Sequence, residues 1–306
     1  MLLAAILGIS VSGPLARLSA AAPLAIAAWR LTLAMGLIAL LLAVTGSWRE
    51  YRTLARRDLL IALGAGALLA LHFWSWITSI TLTSVAASVV LVNLHPVVIV
   101  TGSALFLHER PTRRQVFGIV SAILGALLVG YGDAGGSDAA PNALAGDLLA
   151  LVGAATVGVY YLVGRALRQR LTLWPYVGLV YGAALVVVLG LAIAIGVPLW
   201  PQPERELWIF TGIAIGPMML GHTGFNWSLR YVPAYLVSLA ILAEPAGATL
   251  LAAFLPGIAE TPSAWTLTGG ALILGGLALG TLGGHQAPAA PDAGSSPPDR
   301  ASIPRR

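Results

Sequence analysis

Cysteine is missing from all 306 residues, which excludes disulfides, thiolate metal sites and thiol nucleophiles. Lysine is missing too: all 17 basic residues are arginine, and nothing in the sequence accounts for that. Charge is scarce, at 9% of residues, where a soluble domain carries about 25%. A water-soluble globule is therefore excluded. The alternation of polar and apolar residues that marks a membrane β-barrel is absent as well. What the chain has instead is continuous apolar sequence, 58% hydrophobic with a mean hydropathy of +0.87.

An apolar run of about 20 residues spans a bilayer as a helix. Ten runs qualify, at roughly 1–20, 24–46, 57–80, 84–107, 114–132, 146–168, 173–197, 207–229, 232–255 and 265–283. The expected fold class is an all-α membrane protein of ten transmembrane helices. The first run starts at Met1 with no polar lead-in and is short before Pro14, so the true start is expected upstream or the helix is shallow. It makes a poor signal peptide, having no positive n-region and running through Ala20–Ala22 into another apolar span.

A net charge of +5 invites a nucleic-acid partner. The placement of the arginines argues against one, because they sit in short loops between spans. With ten spans, one face receives Arg49, Arg52, Arg56, Arg57, Arg110, Arg113, Arg114, Arg165, Arg168, Arg170, Arg230, Arg300, Arg305 and Arg306. The other receives only Arg17 and Arg205, with Asp133, Asp138, Glu204, Glu206 and Glu260. Fourteen against two is the positive-inside bias, and it places both termini in the cytoplasm.

The chain reads as one unit written twice. An apolar helix with His72, Trp74 and Trp76 is followed by Asn93-Leu94-His95-Pro96, the turn Glu109–Arg114 and a glycine-spaced helix from Val116. About 150 residues on come His222 to Trp227, Glu244-Pro245, Glu260-Thr261-Pro262-Ser263 and the glycines Gly269, Gly270, Gly275 and Gly276. The expected units are 1–132 and 146–283, joined by an external linker at 133–145 and followed by a disordered cytoplasmic tail at 284–306. Five spans per unit is an odd number, so the second copy enters the membrane from the opposite face. Inverted repeats of this kind are frequent among secondary transporters.

These residues resemble the EamA domain of the drug/metabolite transporter superfamily. The resemblance rests on Arg30, on Thr83-Ser84-Val85-Ala86-Ala87-Ser88 leading to Pro96, and on Glu109-Arg110-Pro111 before Gly118. In the second half it rests on Tyr231-Val232-Pro233-Ala234 leading to Glu244-Pro245, and on Glu260 before Gly269. It covers about residues 5–283 and implies a ten-helix carrier of small metabolites, often an exporter. The family's substrates are too varied for one to carry over.

Polar groups deep in hydrocarbon cost about 2.5–3.5 kcal/mol when charged, so those present need a reason. Glu244 is the one carboxylate deep in an expected span; it is either a proton or cation site or a group that locks helix packing. Arg30 matches it in charge, and as part of the family pattern is expected to be a structural anchor. His72 and Trp76 are four apart on one helix face, as are His222 and Asn226 in the corresponding helix. They are candidates for an organic substrate with an amine or carboxylate. Trp74 is assigned to the lipid interface. Asn93 and His95 are two apart, which puts them on roughly opposite helix faces, so only one is expected to see the cavity. Tyr160 joins the candidates, with Tyr161 beside it. Pro96 and Pro245 are the expected hinges, freeing the carbonyls of Val92 and Ile241. Gly118 with Gly125, and Gly269 with Gly276, permit close helix approach, either as scaffold or as a dimer face.

No HExxH, GxSxG or P-loop is present, and Gly130-Tyr131-Gly132-Asp133 has no second deep aspartate to complete a protease site. No enzyme, cofactor or metal is expected. The reading is a bacterial inner-membrane secondary transporter, exporting an amino-acid-like or related solute by alternating access, with protons as the coupling ion if there is one. The alternatives are a carrier for cationic drugs and a non-transporting membrane scaffold. The expected partners are a small-molecule substrate, lipid and, through the glycine faces, a second copy of the chain.

Overall fold

The computed structural model describes residues 1–106, 112–135, 142–231, 237 and 240–282. Glu109, Arg110, Pro111, the Val232–Ala234 motif, Asp138 and the expected tail lie outside the described residues. Among those described every regular element is helical and none is a strand. Four helices are long and apolar enough to cross a membrane: α3 (Pro23–Thr45), α4 (Arg56–Leu82), α8 (Ala143–Leu167) and α9 (Leu173–Ala194). Pro23 opens α3, where its missing N–H costs nothing. Gly46 closes it at φ +67°, a conformation that only glycine adopts freely.

The other expected spans are shorter or interrupted. α1 (Leu2–Ser10) and α2 (Ser12–Leu18) part at Val11. α5 (Val85–Val92), whose N-cap Ser84 accepts from the Ala87 N–H, is separated by Asn93–Leu94 from α6 (His95–Phe106). α7 (Arg113–Gly135) carries the apolar stretch Val116–Val129. α10 (Glu204–Ile213) passes through a π-helical stretch, Ala214–His222, into α11 (Thr223–Ser228). α12 (Glu244–Phe254) and α13 (Ala264–Leu282) complete the set.

Leucine, valine and isoleucine are distributed as they must be when the solvent is lipid. Val186, Ile193 and Phe254 lie on the outside, while Arg30, His72, Asn93, His95, His222 and Glu244 are buried. With no water in the hydrocarbon to bond them, polar groups turn inward, while apolar side chains serve both the interior and the lipid-facing surface. The chain is a multi-pass membrane protein.

α4 packs along α8 and α9, α1 lies along the π-helical stretch, and α3 packs on α9. α7 and α13 form the tightest pair. A side-chain carbon on Gly118 would fall 2.5 Å from the Gly276 carbonyl oxygen, and one on Gly269 would fall 2.5 Å from that of Gly125. The earlier glycine of one helix meets the later glycine of the other, so the two run antiparallel. Ser121 Oγ donates to the Leu272 carbonyl across the seam at 2.9 Å. Both ladders therefore pack on each other inside one chain, the scaffold role that was one of the two expected for them.

Candidate functional site

The break at Asn93–Leu94 positions the first group of side chains. Pro96 is the second residue of α6 and Pro245 the second of α12. Both prolines thus start a new helix, where an N–H would have no intrahelical partner, rather than kinking a continuous one. The Val92 carbonyl left free by the break is taken by the His95 imidazole. Asn93 Nδ2 donates to the Val89 carbonyl at 2.9 Å and reaches Glu244 Oε2, at the start of α12, at 3.4 Å. The start of α12 and the break between α5 and α6, in the expected ninth and fourth spans, thus lie side by side.

Around them lies a half-open cavity of about 30 Å³, lined by residues of the expected spans one, three, four, six, eight and nine. It has room for a water or two and nothing larger. Six of the expected site residues line it: His72, Trp76, Asn93, His95, His222 and Glu244. Asn93 and His95 both face it, against the expectation from their spacing. That expectation assumed an unbroken helix, and the turn between them rotates His95 back onto the same side. His72 Nδ1 lies 2.9 Å from the Gly153 carbonyl, which can only accept, so Nδ1 carries the proton. Its ring stacks on Trp76 with centroids 6.0 Å apart and meets His222 edge-on at 6.1 Å.

Tyr160 and Asn226 do not line the cavity. Asn226 turns its amide to the Tyr160 hydroxyl (2.5 Å), the Tyr181 hydroxyl (3.4 Å) and the His222 carbonyl (2.8 Å). Its own backbone carbonyl accepts from the buried Arg168 Nε at 3.0 Å. The pair belongs to a hydroxyl network that includes Tyr181 and Thr223, 3.1 Å apart. Arg30 is buried with its guanidinium 4.1 Å above the Phe73 ring, a cation–π contact that offsets part of the cost of burial. Its charge acts on Glu244, yet the two form no direct ion pair among the described residues.

A second groove, of about 1030 Å³, opens among α5, α6, α7 and α8. Its walls are nearly all apolar, and Ile123, Leu124 and Leu127 at its edge are exposed. It lacks the convergent polar groups that fix a small solute.

The cavity alone fits many carriers. The sequence pattern of the EamA-like transporter family matches residues 1–131 and 144–282. The chain belongs to the EamA-like transporter family. It is therefore a transporter of the drug/metabolite superfamily and not an enzyme. An uncharacterized transporter of Archaeoglobus fulgidus is 26% identical over 265 residues, covering 83% of this chain and 87% of that protein. A solved crystal structure overlays with a TM-score of 0.65 at 23% identity, covering 92% of this chain and 95% of the other, a likeness of fold alone.

In this EamA-like chain the structure also sorts the two tyrosine candidates and adds lining residues that the sequence does not mark. Tyr161, rather than its neighbour Tyr160, faces the cavity and packs on His95 with centroids 5.8 Å apart. Ile9, Val92, Val157, Phe225 and Ile241 complete the wall. Periodicity cannot separate such residues from ordinary core. Pro217, inside the π-helical stretch, was a readable signal. It removes an amide hydrogen in mid-span, and the widened turn ends at His222, with Thr223 Oγ1 donating to the Met218 carbonyl at 3.0 Å.

Proposed function

We propose that this EamA-like protein is a secondary transporter that moves a small organic, amino-acid-like solute outward across a bacterial inner membrane by alternating access. One observation carries the reading. The broken ends of two spans, one from each half of the sequence, meet at a cavity lined by Glu244, three histidines and Trp76, and that cavity has room for only a water or two. A scaffold protein gains nothing from burying such groups in lipid. A carrier needs them, because its site must form, close and open again.

The ten-span, inverted-repeat architecture belongs to the same proposal. It is supported by the antiparallel α7–α13 seam and by matching packing, α4 on α8 and the π-helical stretch on α1. The arginine asymmetry of the loops favours cytoplasmic termini. The carboxylate of Glu244, with Trp76 and Tyr161 as aromatic faces, suits a solute carrying an amine. The same groups support the second reading, a carrier of bulkier organic cations.

Glu244 is also the group assigned to proton coupling. Purified protein in proteoliposomes, loaded with a mixture of amino acids and then with quaternary amines, tests both readings by counterflow. Glu244→Gln is expected to abolish uptake driven by a pH gradient. Uptake that persists unchanged removes Glu244 from the coupling mechanism. Accumulation of tetraethylammonium but of no amino acid would favour the second reading.

A further inference from the structure

On the arginine-poor face, one guanidinium and one carboxylate tie four parts of the chain together. Arg17, in the last turn of α2, donates from Nη1 to the Ile80 carbonyl at 2.5 Å and reaches that of Thr83 at 3.5 Å. Its Nη2 meets Glu260 Oε1 at 2.9 Å. The other oxygen of Glu260 accepts the Val85 N–H, the first of α5, at 2.8 Å. Glu260 lies between α12 and α13, and its own N–H is held by the Ala252 carbonyl at 3.1 Å. The end of α2, the end of α4, the start of α5 and the α12–α13 connection are thus fastened at one point. Arg17 and Val85 come from the first half of the sequence and Glu260 from the second.

The fastening stands at the end of the elements that wall the cavity. α5 runs from Val85 at the ion pair to Val92 in the lining, and α4 carries His72 and Trp76 below Ile80. The opposite end repeats part of it: Arg165 donates to the Leu229 carbonyl at 2.6 Å. Leu229 follows Ile80 by 229 − 80 = 149 positions, the spacing of Glu244 from His95, 244 − 95 = 149. Each half therefore ends its third span in a carbonyl held by the arginine that closes its own first span.

Arg17 and Glu260 are half-wet, with side-chain exposures of 34% and 19%. That setting suits a contact that must both hold and release. A fully exposed pair is too weak to hold helices together, and a fully buried one leaves stranded charges when it parts. At this depth water can take over both groups as they separate.

We propose that Arg17 and Glu260 form the latch that keeps the solute path shut at its arginine-poor end, and that their parting opens the path to that face. The inference rests on the alternating-access reading above. Because the chain has no cysteine, a single Val92→Cys in the cavity wall is a clean reporter. In proteoliposomes of known orientation it is probed from each face with a membrane-impermeant maleimide. Glu260→Gln removes the charge while leaving an oxygen for the Val85 N–H, so the helix start remains capped. Arg17→Gln tests the same latch from the other side.

Either change is expected to raise labelling from the arginine-poor face at least three-fold and to lower it from the arginine-rich face. Labelling unaltered from both faces, or raised from both as simple loosening would give, overturns the latch while leaving counterflow as evidence for transport. Val92→Cys reacting from one and the same face in every variant, with no counterflow of any solute, removes the transport reading and the latch with it.

Discussion

If α7 and α13 form a rigid seam, the same substitution should have opposite weight inside and outside it. Gly118→Val places a carbon 2.5 Å from the Gly276 carbonyl oxygen, 3.2 Å from Gly280 Cα and 3.3 Å from the Gly276 carbonyl carbon. All three are backbone atoms, so no side chain can swing away. Relief requires α13 to withdraw by most of an ångström, which also separates Gly269 from Gly125 and stretches the Ser121–Leu272 hydrogen bond. Overpacking of this kind costs about 1–3 kcal/mol, and rigid partners put this site at the upper end. Gly36 on α3 would meet nothing within 4 Å. Replacing it with valine gains a few tenths of a kcal/mol of helix propensity. The two variants are therefore expected to differ by about 3 kcal/mol, or roughly 150-fold in the folded-to-unfolded ratio. Thermal and denaturant unfolding of the two proteins in the same detergent measures that difference. Equal stability of the two variants would refute the seam.

Asn226→Ala removes the amide that donates to the Tyr160 and Tyr181 hydroxyls, of which Tyr181 keeps Thr223 as a partner; it is expected to cost about 1–3 kcal/mol, with solute specificity unchanged in counterflow because Asn226 does not line the cavity. Pro96→Ala, in the first turn of α6, is expected to leave the unfolding midpoint within about 0.5 kcal/mol of the parent while slowing exchange, as followed by stopped-flow uptake. Tyr51, outside the spans, donates to the Pro175 carbonyl at 3.2 Å, and burial, with help from Glu50, pushes its hydroxyl up to about 12. A raised value means that the folded form holds the proton more tightly. This contribution is complete below about pH 10, the ordinary tyrosine value, and is lost as pH rises toward 12. Tyr51→Phe should flatten that part of the stability-versus-pH curve relative to the parent, and parallel curves would remove the assignment.

Much of the site was legible because burying polar groups in lipid is costly. His72, Glu244 and His222 stand out in apolar sequence without any structure, and the prolines mark where spans four and nine break. What sequence could not supply was direction. The separation of Asn93 from His95 by two residues says opposite faces only while the helix continues, and the turn at Leu94 reversed that inference. Tyr160 and Tyr161 are chemically alike and adjacent, so only packing against α9 and α11 could sort cavity from network. Arg30 and Glu244 were matched by charge, but the ring of Phe73 took the guanidinium, a preference invisible from spacing. Arg17 was readable only as a loop charge, and Glu260 as a loop charge and part of the repeated turn. Their contact links residues far apart in sequence, which no local pattern encodes.

The widened turn at Ala214–His222 has no equal in α4, which runs unbroken from Arg56 to Leu82. If the halves trade roles during transport, as proposed above, this slipped register is one point at which they differ. Two states related by perfect symmetry would be equally populated in the absence of solute. With the slip confined to one copy, the inward- and outward-facing forms differ in free energy, and the empty carrier rests with a preferred side.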